Sequence, residues 1–423
     1  MKLIRVKKGV NLYINERDKF NSAIFQVDFI FPTDAQSFAR MNILSGLLKK
    51  HSTKYQENQQ LVDFLEDHYG AILDVEYDFF GNVTSISFTI SFVHPKMLNN
   101  PNYCFRDLIL LIEDIIFNQN DRLESFFENE KKYCKNLLKD ELTDPETLIY
   151  YQALPHYISS SRLNIPFTGT FTQLNAVELN PTYDLWQNIL QTSAVNIYYD
   201  GFSLTSDDRR SINQLAQRFF PRSDFQINSI YYIEPKPSNE VFYEQHRIFQ
   251  QHLFLQQYYL DGQAKFREEN YASWLVFNQI FGADSESFLF KRIRMDLNLS
   301  YSVSSNISFG LNCFYVYGTL NSKDFKVVEH EIEQILKQIK EQNYSLEFLN
   351  IVKKSIKNSI LFQTDGRFYD ILQQKMKFLI PNYLTDDQLM VNIDAVTPDD
   401  LTDCVMKIQP GIKIWYEGCN NEF

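Results

Sequence analysis

One stretch in the second half of the chain gathers basic and aromatic side chains at a change of period. Arg294 and Tyr301 lie seven positions apart in the run Ser285 to Val303, S-E-S-F-L-F-K-R-I-R-M-D-L-N-L-S-Y-S-V. A guanidinium is a planar, permanently charged fork that suits a carboxylate or carbonyl, and a phenol both donates and accepts hydrogen bonds. Stepping outward, Leu289, Ile293 and Leu297 recur at four-residue spacing and share a helical face, off which Arg292 and Arg294 fall. After Leu299 the period becomes two: Tyr301, Val303 and Ile307 alternate with small polar residues, as in a half-buried strand. The pattern predicts a basic helix that hands over to a strand, with Tyr301 near the junction.

Other chemistry-bearing residues do not converge. The seven His, at 51, 68, 94, 156, 246, 252 and 330, include no pair at H-x-x-x-H or H-x-x-E-H spacing. His246 and His252 would share a sheet face but sit well apart, and Glu66-Asp67-His68 point to different faces of a helix end. There is no G-x-G-x-x-G, P-loop, G-x-S-x-G or paired-cysteine motif. Asp207-Asp208 and Asp399-Asp400 read as the first turns of helices, the second pair within Thr397-Pro398-Asp399-Asp400. The five cysteines, at 104, 134, 313, 404 and 419, are scattered and odd in number, which reads as free thiols in a reducing compartment.

A chain of 423 residues exceeds one ordinary core, so two or more domains are expected. At 44% hydrophobic and 22% charged residues it has the composition of a folded globular protein. A net charge of -12 argues against a nucleic-acid-binding surface. The N-terminus lacks the apolar stretch of a signal peptide, and the run Leu108 to Phe117 is short and carries Glu113 and Asp114, so no membrane span and a cytoplasmic location are expected.

The order of elements reads as one module used twice. Strands at 10–13 and 23–31, helices at 38–48 (capped by Ser37) and 59–69, and a hairpin turning at Gly81-Asn82 precede long helices at 103–118 and 122–141. The second half repeats strands, a helix, strands at 301–308 and 312–320, and helices at 323–341 and 345–362. Asn118-Gln119-Asn120 with Leu123-Glu124 matches Glu341-Gln342-Asn343 with Leu346-Glu347, at an offset of about 220 residues. Pro221, Pro235 and Pro237 mark a linker, which gives domains 1–221 and 241–423 joined by 222–240.

With Phe281-Gly282 ahead of it, the Ser285–Val303 run resembles the C-terminal-half phrase of the insulinase-like (M16) zinc peptidases, S-x-L-F-x-x-I-R-E-x-x-x-L-x-Y-S. The ending Ala395 to Leu401 and the near-halved length fit the same family. The resemblance implies an α+β fold of two tandem homologous modules, each an antiparallel sheet packed against helices, and it implies that Arg294 and Tyr301 bind a substrate peptide. Active members carry H-x-x-E-H on the first long helix, with a further Glu on a later one. The matching run here is Asn42-Ile43-Leu44-Ser45-Gly46: Asn42 and Gly46 stand where the two His belong and Ser45 where the base Glu belongs. On the later helix, Lys135 or Asn136 falls near the third ligand's place.

The resemblance therefore points to the inactive half of bacterial two-chain M16 peptidases, with no cofactor of its own and zinc only in the partner subunit. Within that group the text is similar to a class associated with modification of elongation factor P. The implied partners are an H-x-x-E-H-bearing paralogue in a heterodimer and a peptide or unfolded protein segment. The alternatives are a stand-alone peptide-binding or scaffold protein, such as a homodimer, and an active zinc peptidase with unconventional ligands.

Overall fold

The structure, a computed structural model, describes residues 1–50, 52–80, 83–118, 124–157, 166, 168–220, 240–245, 251–262, 264, 266–320, 325–380 and 382–418. The linker expected at 222–240 lies almost wholly outside these residues, as do the Gly81-Asn82 turn, His51, His246 and Cys419.

The first half runs β1 (Lys2–Lys7), β2 (Val10–Glu16), β3 (Ser22–Pro32), α1 (Phe38–Lys50), α2 (Asn58–Asp67), β4 (Ile72–Phe80) and β5 (Val83–Val93). It continues with α3 (Phe105–Phe117), α4 (Glu124–Glu141), α5 (Pro145–Tyr157), α6 (Phe171–Ala176), α7 (Leu179–Thr192), β6 (Ala194–Gly201) and α8 (Ser206–Arg218). The second half runs β7 (Val241–Gln245), β8 (His252–Leu260), α9 (Tyr271–Phe281), a π-helical segment Phe290–Asp296, β9 (Val303–Ser308) and β10 (Cys313–Leu320). Helices α10 (Phe325–Lys340), α11 (Leu346–Gln363), α12 (Tyr369–Leu379), α13 (Asp386–Ala395) and α14 (Pro398–Met406) lead to β11 (Ile408–Glu417).

Two sheets result, ordered β1-β2-β6-β3-β5-β4 and β7-β11-β8-β10-β9. Aligned from β2 and β7, the two orders are the same. Each sheet is antiparallel except for one pair, β2 with β6 and β7 with β11, which run parallel. The expected antiparallel sheet packed against helices is present in both halves, and the one parallel pair recurs at the equivalent place. A long excursion through helices separates the members of each pair, as a parallel connection requires.

Each sheet gives one face to helices. In the first, Phe29 meets Phe88, Trp186 and Phe219 at ring separations of 5.8, 5.2 and 5.6 Å. In the second, Phe314 meets Phe277 and Phe281 at 5.3 and 4.9 Å. Such edge-on contacts add to burial and fix ring orientation. Of the cysteines, 104, 134, 313 and 404 are free, and burial pushes the thiols of Cys134, Cys313 and Cys404 up to about 12. Among the described residues, no helix is long and apolar enough to cross a membrane.

The compact units do not follow one cut along the sequence. One comprises Met1–Leu138, Pro166–Ile230 and Arg367–Leu379; the other comprises Lys139–Ile165, Tyr231–Gly366 and Ile380–Phe423. Helix α5 thus belongs with the second sheet and α12 with the first. These occupy the same position in the two repeats, so each unit is completed by a helix from the other half of the chain.

Candidate functional site

On α1, Asn42 and Gly46 lie one turn apart on the same face, with Ser45 beside them. The Asn42 amide donates to the Tyr77 hydroxyl of β4 at 2.7 Å and to the Phe38 carbonyl at 3.2 Å. The Ser45 hydroxyl donates back to the Asn42 carbonyl at 2.9 Å. Both side chains are spent inside the fold. Gly46 leaves a notch, and Glu130 of α4 fills it: a Cβ on Gly46 would sit 2.0 Å from Glu130 Oε1. Glu130 is 4% exposed and is closed off by the ammonium of Lys50, one further turn along α1.

Glu130, and not Lys135 or Asn136, is therefore the α4 residue that faces the notch; Asn136 is exposed. The signal was present in the sequence. Phe127, Glu130, Cys134 and Leu138 form the buried stripe of α4, and Glu130 is its one charged member. A catalytic zinc site needs about three N or O ligands and an open position. This cluster offers one carboxylate with an ammonium already upon it, so its residues do not fit a zinc ion. Among the described residues, no group of three or more His, Cys, Asp or Glu could hold a metal.

Arg294 and Tyr301 come together in the second unit. The stretch before β9 is a π-helix, in which the Leu297 amide reaches the Arg292 carbonyl at 3.1 Å, a five-residue step. Leu289 and Ile293 are fully buried, as the four-residue spacing predicts, while Leu297 is only half-buried because the widened turn rotates it out of the stripe. π-Turns often mark functional positions. The Arg294 guanidinium lies 4.8 Å from the centroid of Phe290 and 4.9 Å from that of Tyr301. Tyr301 is 69% exposed and precedes β9, so it is a junction residue and not a strand residue.

The neighbouring Arg292 is committed elsewhere. Its guanidinium makes a two-pronged bond to Glu331 of α10 at 2.7 and 3.1 Å, which holds the Glu331 carboxyl below its usual range. Among the described residues Arg294 forms no ion pair. One arginine anchors the π-turn, and the other presents its charge on two aromatic faces.

The first sheet also holds a site that sequence reasoning missed. On the face of β4 and β5 away from the core lies a cavity of about 450 Å³, lined by Asp74, Glu76 and Asp78 and closed by Lys375 of α12. Lys375 is 4% exposed and lies 3.0 Å from Asp78 and 3.6 Å from the wholly buried Asp28. Burial pulls its pKa down, but the two carboxylates outweigh this and raise it.

Comparison with known proteins agrees with this geometry. Residues 211–356 match the family model described as Peptidase M16 inactive domain. Over 409 residues the chain is 18% identical to the "Probable inactive metalloprotease YmfF" of Bacillus subtilis, covering 95% of this chain and 94% of that one. Among solved structures, a conserved protein from Enterococcus faecalis superposes with a TM-score of 0.91 at 22% identity, over 100% of this chain and 99% of the other. A peptidase M16 inactive domain from Pseudomonas fluorescens superposes with a TM-score of 0.77 at 12% identity, over 99% and 98%. Residues 211–356 thus carry a Peptidase M16 inactive domain, and the whole chain has the fold of the M16-like structures and is similar to a probable inactive metalloprotease.

Proposed function

We propose that the chain is the non-catalytic subunit of a two-chain M16 peptidase: it pairs with an H-x-x-E-H-bearing paralogue and helps enclose and bind a peptide substrate. The observation that carries this reading is the contrast between two sites. At Asn42, Ser45 and Gly46 every polar side chain is consumed within the fold, whereas Arg294 has no counter-ion among the described residues and lies beside an exposed Tyr301. In the pair, Arg294 takes a peptide carbonyl or carboxylate in its fork, and Tyr301 donates to oxygen where negative charge develops. Zinc and the attacking water belong to the partner.

The test is co-purification with such a paralogue, followed by peptide turnover. Arg294→Ala is expected to lower kcat/KM of the assembled pair at least about tenfold, the scale of one hydrogen bond to a charged group, while the pair stays together. A lone homodimer that ignores the paralogue would favour the scaffold alternative. Stoichiometric zinc in the purified chain, with turnover on its own, would overturn the assignment.

A further inference from the structure

The second unit carries a polar cavity that peptide enclosure does not use. It lies on the helix side of the sheet, where Phe254, Tyr258 and Leu260 of β8 enter the core. Gln256 falls on this same side by the two-residue alternation of a strand. At 3% exposed it is a primary amide set among aromatic and aliphatic neighbours. Its Nε2 donates to the Tyr258 hydroxyl at 2.6 Å, and its Oε1 has no hydrogen-bond partner among the described residues. A buried acceptor left in that state is costly, so it is not kept for packing alone.

Gln256 lines a cavity of about 260 Å³. The cavity opens where β11 departs from β8: the register slips between Pro410 and Lys413, and a Cβ on Gly411 would sit 2.4 Å from the Gln257 carbonyl oxygen. Only glycine lets the bulge lie so close to the neighbouring strand. From α10, Glu333 adds a carboxylate that has no ion-pair partner among the described residues. The cation of the lining, Lys413, is already paired with Glu329. Burial, with the charge of Glu333 adding to it, keeps the Tyr258 phenol protonated. The open hydrogen-bonding capacity is thus mainly that of acceptors, with one net negative charge and an apolar wall from Leu336 and Ile408.

We propose that this cavity binds an ammonium or guanidinium group on a short aliphatic stem, with Gln256 Oε1 and the Glu333 carboxylate accepting its N–H protons and Leu336 and Ile408 covering the stem. The group is either a basic side chain of a peptide or a free small amine. Isothermal titration of the full chain with agmatine tests this, with acetate and urea as probes of the opposite and of no charge. Saturable 1:1 binding of agmatine is expected, weakened at least tenfold by Glu333→Gln and by Gln256→Leu. Glu333 is exposed, so its variant keeps the wild-type melting temperature and reads binding alone. A short arginine-containing peptide that binds tighter than agmatine identifies the side-chain source, and equal or weaker binding the free amine. The proposal is overturned if agmatine shows no saturable binding, if Glu333→Gln leaves its binding unchanged, or if acetate or urea binds as well.

Discussion

A carboxylate shut away from water needs a countercharge or it destabilises the fold around it. Glu130 obtains one from Lys50 and gains space for its oxygens from the missing side chain of Gly46. The three residues are interdependent: a side chain at 46 would expel the carboxylate, and the carboxylate without Lys50 would be a buried uncompensated charge. Lys50→Met is therefore expected to cost about 1–3 kcal/mol, less than for a fully buried pair because the lysine side chain is 39% exposed. Adding Glu130→Gln to Lys50→Met removes the stranded charge, so the double variant is expected to recover at least half of that loss. Denaturant unfolding measures both. A neutral Lys50→Met would mean that solvent, and not this lysine, compensates Glu130.

At the scale of elements, β4 carries a conflict between like charges. Asp74, Glu76 and Asp78 alternate along one face, so three like charges lie within two strand repeats. Burial, and then the charges of Asp74 and Asp78, raise the Glu76 carboxyl above its ordinary value. An acid whose pKa is higher in the folded state than in the unfolded one weakens the fold as pH rises through that window. Glu76→Gln should accordingly raise the melting temperature at neutral pH and change nothing at a pH below the ordinary glutamate range. Equal melting at both would show that solvent screens the strip. The sequence showed this strand clearly, because Leu73 and Val75 alternate with charges, yet it hid other elements. In α12 the buried stripe is Ile371, Lys375, Met376 and Leu379, and a lysine at its centre breaks the apolar pattern. In β11 the bulge at Pro410 and Gly411 interrupts the alternation. The π-turn was invisible for the opposite reason: Leu289, Ile293 and Leu297 spell an ordinary helix, and only the backbone reveals the five-residue step. At Asn42, Ser45 and Gly46 the absence of zinc-ligating side chains was legible residue by residue, while the burial of Glu130 against Lys50 required the approach of α4 to α1.

At the scale of the whole chain, the repeat predicts two halves that each form a module, but each compact unit takes a helix from the opposite half of the sequence. Asp28 sits at the middle of β3, wholly buried, with Gln26 Nε2 on one oxygen at 2.7 Å. Its positive partner is Lys375, nearly 350 positions later in the chain, and Arg367 from the same stretch bonds the buried Asp200 of β6 at 3.0 Å. Residues 1–221 expressed alone would keep the apolar core and lose both cations, leaving Asp28 without its ammonium and the polar face of the sheet uncovered. The fragment would also carry α5 without the sheet against which that helix packs. Removing one side of a buried ion pair costs about 3–5 kcal/mol, a large part of a domain's total stability. The fragment is therefore expected to melt well below the intact chain or to aggregate, and Lys375→Met in the intact chain should reproduce part of that loss. A 1–221 fragment that unfolds cooperatively within a few degrees of the full chain would show that the exchanged helix is an ornament on a module that already stands alone.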